Sequence, residues 1–131
     1  MKRVYANLIF IVVLAALAVV IVFWTSNQPP KIQKIVYKQD KEGFPKMEVL
    51  NGEKFKVTEN ATYIFTPIGK DPNGDKITYT WDFKGPKNFT KHYIGDELKL
   101  SFNATGISKL TLQAKDFFNA KDTNTFVIEV K

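Results

Sequence analysis

Two hydrophobic patterns divide the chain. From Leu8 to Trp24 every position is apolar, and extending the run back to Val4 adds a single interruption, Asn7. Beyond Pro29 the apolar residues instead come in short alternating sets: Ile77, Tyr79, Trp81 and Phe83; Leu98, Leu100 and Phe102; Leu110, Leu112 and Ala114; Phe126, Ile128 and Val130. The first pattern predicts a helix of about 30 Å, matching the hydrocarbon thickness of a bilayer. The second has period two, the mark of strands with one face buried.

The flanks of the apolar run give it an orientation. Tyr5 and Trp24 sit at its ends, where interfacial aromatics belong, and Lys2 and Arg3 precede it, while Thr25 to Pro30 carry no charge. The positive-inside rule then sets the N-terminus in the cytoplasm and everything after Trp24 outside, in contact with membrane lipid only through the helix and its ends. A cleavable signal peptide is the competing reading, since Ala16 and Ala18 form an A-x-A pattern. Cleavage there would leave a chain beginning Val19-Val20-Ile21-Val22-Phe23-Trp24, a poor mature end, so an uncleaved anchor is preferred. A pilin-type leader lacks its charged, glycine-ended cleavage site. Ala15, Ala16 and Ala18 form a small-residue face of the kind that packs helices together in membranes, though alanine is common in such helices anyway.

The remainder reads as β-structure. Lys31 to Lys38 and Thr62 to Thr66 are β-branched and aromatic runs. Asn51-Gly52, between Met47–Leu50 and Phe55–Val57, predicts a two-residue hairpin, and Asp71-Pro72-Asn73-Gly74-Asp75 is a turn cluster. No segment after Trp24 has helical periodicity. About seven short strands over this length predict an all-β sandwich, with Trp81 buried on a central strand.

At these residues the chain resembles the polycystic-kidney-disease (PKD) domain, one of the immunoglobulin-like sandwiches. Asn27-Gln28-Pro29-Pro30 is similar to a common opening of that family. Asp71 to Asp75 looks like its Asp-Pro-Asp-Gly-Asp turn, and Tyr79 to Phe83 its Tyr-x-Trp-Asp-Phe strand. Gly106 to Asp116 matches the spacing of its late Gly-x-Tyr-x-Val-x-Leu-x-Val-x-Asp strand. The likeness spans most of residues 27–131. Lys84-Gly85-Pro86 departs from the family's Gly-Asp-Gly, and Phe117-Phe118-Asn119-Ala120 from its glycine-bearing final turn. The expected fold is therefore an all-β, immunoglobulin-like (PKD-type) β-sandwich of about seven strands plus an extra hairpin, with one N-terminal transmembrane helix. Residues 1–25 are the anchor, 26–31 a short proline-containing linker and 32–131 the sandwich.

Composition narrows the chemistry. The 131 residues contain no cysteine, which excludes disulfides, thiolate metal sites and lipoprotein anchoring. The net charge is +6, but Arg3 is the only arginine and acids are interleaved with the lysines, which speaks against nucleic-acid readout. His92 is the sole histidine and no serine lies in a Gly-x-Ser-x-Gly context, so no nucleophilic triad is expected and the chain is read as no enzyme.

Asp71, Asn73 and Asp75 place oxygen ligands at alternate positions around a glycine, as calcium loops do. No glutamate stands at EF-hand spacing, and the same residues suit a tight turn: Pro72 presets one backbone angle and Gly74 permits a positive one. The turn is the first expectation and weak calcium binding the second, with Asp82 or Asp116 as further ligands; no other cofactor is expected. Asn60, Asn88 and Asn103 head N-x-[ST] sequons, all after the anchor. Phe117 and Phe118 are adjacent in a connecting turn, so either one caps the core or the pair meets a partner. These features predict a single-pass surface or envelope protein that displays its sandwich to a protein or glycan partner. The alternatives are a self-associating subunit of a pilus-like filament or virion assembly and, below that, an accessory subunit of a membrane enzyme.

Overall fold

The computed structural model describes residues 11–17 and 27–131. Residues 11–17 are helical, with their apolar side chains exposed. The rest of the expected anchor, with Tyr5 and Trp24, lies outside the described residues, and among those described no helix is long and apolar enough to cross a membrane.

Alternation sets the architecture. The described residues form nine strands: β1 (Lys31–Gln39), β2 (Met47–Val49), β3 (Lys54–Val57), β4 (Ala61–Lys70), β5 (Thr78–Lys84), β6 (Thr90–Ile94), β7 (Leu98–Phe102), β8 (Gly106–Lys115) and β9 (Lys121–Val130). A 3-10 turn, Pro86–Asn88, precedes β6. Because successive strand residues face opposite ways, each alternating run gives one apolar face, and two such faces exclude water only by packing together. One sheet runs β2-β1-β4-β7 and the other β3-β9-β8-β5-β6. Ile35 and Phe65 from the first meet Trp81, Leu110, Leu112, Phe126 and Ile128 from the second, all fully buried. The Trp81 indole N–H donates to the Gly95 carbonyl at 2.9 Å, so the largest core side chain leaves no polar group unpaired.

One sequence expectation needs correction, and one strand gave no sequence signal. The Asn51-Gly52 turn does not close a hairpin. β2 pairs antiparallel with β1, whereas β3 runs parallel to β9 in the opposite sheet. The turn residues bond to β9 instead of bracing a ladder: Asn51 Oδ1 accepts from the Thr125 N–H at 2.9 Å, and the Gly52 N–H donates to the Thr125 carbonyl at 2.9 Å. Gly52, at φ 81°, lets the chain reverse there and cross between sheets, so Val49 and Phe55 enter the core from opposite sides. The signal was for a turn, and pairing was a further step that only the neighbouring strands decide. β6 escaped detection for a different reason. All five of its residues are exposed, so no alternation marks it.

β8 is the spine of the second sheet. It pairs with β5 over Thr78↔Lys115 to Lys84↔Lys109 and with β9 over Gly106↔Val130 to Lys115↔Lys121. These registers bring the linker, the β4–β5 loop and the β8–β9 loop to one pole. The β3–β4, β5–β6 and β7–β8 connections gather at the other. Leu112→Ala, at the centre of β8, is expected to lower stability by about 2–5 kcal/mol. Asn51→Ala, which removes only the crossover bond, should cost about 0.5–1.5 kcal/mol. Urea denaturation of the full chain measures both.

Candidate metal centre

Two loops at the linker pole are built alike. In the first, Asp71 Oδ1 accepts from the backbone N–H of Asn73 at 2.8 Å and of Asp75 at 3.3 Å. In the second, Asp116 Oδ1 accepts from the N–H of Phe118 and of Ala120, each at 2.9 Å. Each aspartate thus collects the amides two and four residues on, the local bonding that favours this residue in turns. The third position after each has positive φ: Gly74 at 75° and Asn119 at 67°. Asn119 therefore supplies the left-handed conformation that a glycine supplies in the first loop.

The linker is held by both loops. Asn27 Nδ2 donates to Asp116 Oδ2 at 2.8 Å, and the Gln28 N–H donates to Asn73 Oδ1 at 2.8 Å. Pro30 is fully buried behind them. Just inside, the Ile32 N–H donates to Asp122 Oδ2 at 2.7 Å, tying the start of β1 to β9.

Three carboxylates converge between these contacts. One oxygen each from Asp71, Asp75 and Asp116 lies within 4.8 Å of the others. Asp71 is 7% exposed and Asp116 4%, while Asp75 is half-buried. Asp71 Oδ2 and Asp75 Oδ2 are shielded from solvent and accept no hydrogen bond from the described residues. Among the described residues no lysine forms an ion pair with any of the three. Lys70 and Lys76 do line the adjoining open hollow, with Tyr79 and Asp96. Burial first, and then the negative charges of Asp71 and Asp116, hold the Asp75 carboxyl above the ordinary carboxylate range.

The structure redistributes the residues singled out in the sequence. Asp71 and Asp75 come together and Asp116 joins them, whereas Asn73 turns its side-chain oxygen to the linker. Asp82 stands apart on β5, its Oδ1 at 2.6 Å from Nδ1 of His92 on exposed edge strand β6. Asn27 was not foreseen as part of the site, since no spacing relates it to Asp116. Asn60, Asn88 and Asn103 are all exposed and all lie at the opposite pole. There the Asn60 N–H donates to the Phe102 carbonyl at 2.6 Å, and a Cβ on Gly106 would come within 3.3 Å of Pro86. Phe117 is 86% exposed at the acidic pole; Phe118 is partly buried, its ring edge-on to that of Phe117 at 5.4 Å.

No family model and no curated protein matches the sequence. Solved structures do resemble the fold. One is the extracellular domain of a chain described as a hybrid two component system from B. thetaiotaomicron, with TM-score 0.53 and 14% identity over 85% of this chain and 16% of that one. At that identity the likeness concerns the fold.

The raised Asp75 carboxyl makes a pH prediction. Between the ordinary carboxylate value and the raised one, the folded chain binds more protons than the unfolded chain, so stability falls as pH rises through that window. Asp75→Asn removes the charge. In chelator at pH 7 the variant should melt above the natural chain, and the gap should close below about pH 4. Equal melting temperatures at pH 7 would show that like-charge repulsion is not felt there.

Proposed function

We propose that the chain is a single-pass membrane protein whose PKD-type sandwich is displayed outside the membrane for contact with a protein or glycan, and that it has no catalytic role. The polarity of the domain supports this most directly. The linker that follows the apolar N-terminal run joins at the acidic pole, and the three sequon asparagines crowd the far one. On this reading the acidic pole faces the bilayer and the pole of Asn60, Asn88 and Asn103 faces outward, where it carries glycans. Phe117, flanked by Lys115 and Lys121, then points toward the headgroup region, where aromatic and cationic side chains are favoured. The fold of a solved extracellular domain agrees with an outer location. The Asp71–Asp75 turn and the Tyr79–Phe83 strand support the PKD-type assignment. Against catalysis, the one histidine stands on an edge strand, engaged with the exposed Asp82 of the neighbouring β5.

The lack of cysteine makes topology measurable without background. Asn103→Cys should react with a membrane-impermeant maleimide in intact cells, and Lys2→Cys only after permeabilisation. The reverse labelling, or loss of the protein from membranes on alkaline carbonate washing, would overturn the reading. Intact mass of native material should exceed that of the 15.0 kDa polypeptide. Replacing the three sequon asparagines by Gln should abolish the excess.

A further inference from the structure

We propose that Asp71, Asp75 and Asp116 bind one calcium ion, and that the bound ion fastens the linker to the pole of the sandwich. This goes beyond display and holds whether or not the chain is anchored.

The argument starts from unpaired oxygens. Asp71 is 93% buried by its 7% exposure, yet its Oδ2 has no hydrogen-bond partner. Asp75 Oδ2 is in the same position. Buried polar atoms are almost always satisfied, and buried carboxylates are paired or hold a metal. No amide, hydroxyl or lysine among the described residues fills that role for these two atoms, and a bound cation is the partner that two unpaired carboxylate oxygens on one site call for.

Geometry and ligand chemistry identify it. Calcium takes oxygen ligands at about 2.3–2.6 Å, so two ligands on opposite sides of one ion stand up to about 5 Å apart. The three carboxylate oxygens, within 4.8 Å of one another, fit inside a single coordination sphere. The donors are all hard oxygens, with no histidine or cysteine, which disfavours zinc and copper. Three protein carboxylates from two loops suit calcium, which takes many protein oxygens with water completing the sphere, better than magnesium, which keeps most of its waters and binds through one or two carboxylates.

The supporting contacts are already in place. Asp71 and Asp116 each use their Oδ1 on two backbone amides, so the remaining oxygens are held in direction before an ion arrives. Those same loops hold the linker, through Asn27 on Asp116 and Gln28 on Asn73. An ion that bridges the loops therefore stiffens both ends of the linker's attachment at once.

Asp75 is the residue to change, because among the described residues its Oδ2 has no hydrogen-bond partner, while the side chains of Asp71 and Asp116 hold their loops. The full chain in detergent micelles is stripped with chelator and titrated with calcium chloride. We expect a rise in melting temperature with a Kd of about 10⁻⁴–10⁻³ M, the range of extracellular modules, and a weaker response to magnesium. Amide exchange at Gln28, followed by NMR, should slow on calcium addition. Asp75→Asn should fold, melt cooperatively and lose both responses. No thermal shift at about 10 mM calcium, or a shift that persists undiminished in Asp75→Asn, overturns the site. A shift without any change at Gln28 overturns the coupling to the linker.

Discussion

The acidic pole depends on the register of β8 between β5 and β9. Lys115 is paired with Thr78 on one side and with Lys121 on the other, which sets Asp116 at the first position past the ladder, beside the turn that starts at Asp71. A slip of one residue would turn every β8 side chain to the wrong face and bury Lys109 and Thr111 in place of Leu110 and Leu112. The core thus enforces the register, and the register in turn enforces the meeting of acids. No local preference of the two loops would bring Asp71 and Asp116 together across 45 positions of sequence.

That meeting carries an electrostatic cost. Three carboxylates share a small, partly dry volume, and the backbone amides that two of them capture offset only part of it. The amides engage Oδ1 of Asp71 and of Asp116, while among the described residues Oδ2 of Asp71 and Oδ2 of Asp75 have no partner. Natural folds keep such arrangements where the strain is used, and metal binding is the use for which oxygen donors at this spacing are suited. The raised proton affinity of Asp75 has the same two sources, burial first and the neighbouring charges of Asp71 and Asp116 second.

Much of the fold was legible because alternation is a direct imprint of a two-faced sheet. Tyr79, Trp81 and Phe83 on β5 and Leu110, Leu112 and Ala114 on β8 are buried at the positions their spacing predicts. The crossover at Asn51-Gly52 was not legible, since a turn signal states that the chain reverses and says nothing of which strand it joins next. β6 was silent because an edge strand exposed on both faces has no hydrophobic rhythm. At the site, Asp71 and Asp75 could be found from a five-residue motif. Asp116 was visible only as an accessory through its position after a strand, and Asn27 not at all, because its role arises from a contact 89 residues away.

The sheet edges constrain how such a domain can meet a partner. β2 has three residues, β3 four, and β6 and β7 five each, so no edge offers a long ladder. Charges stand on all of them: Glu48 on β2, Lys54 and Lys56 on β3, Lys91 on β6 and Lys99 on β7. Short, charged edges are how sandwiches resist strand addition. Assembly by strand exchange, one route to a filament, would have to overcome that protection on either sheet. The poles carry no such barrier, and of the two the acidic one is taken up by the linker. At the opposite pole Phe89, 55% exposed, stands beside the Asn88 and Asn103 loops and leans edge-on against the buried ring of Phe83 at 6.1 Å, so the apolar surface there is continuous with the core.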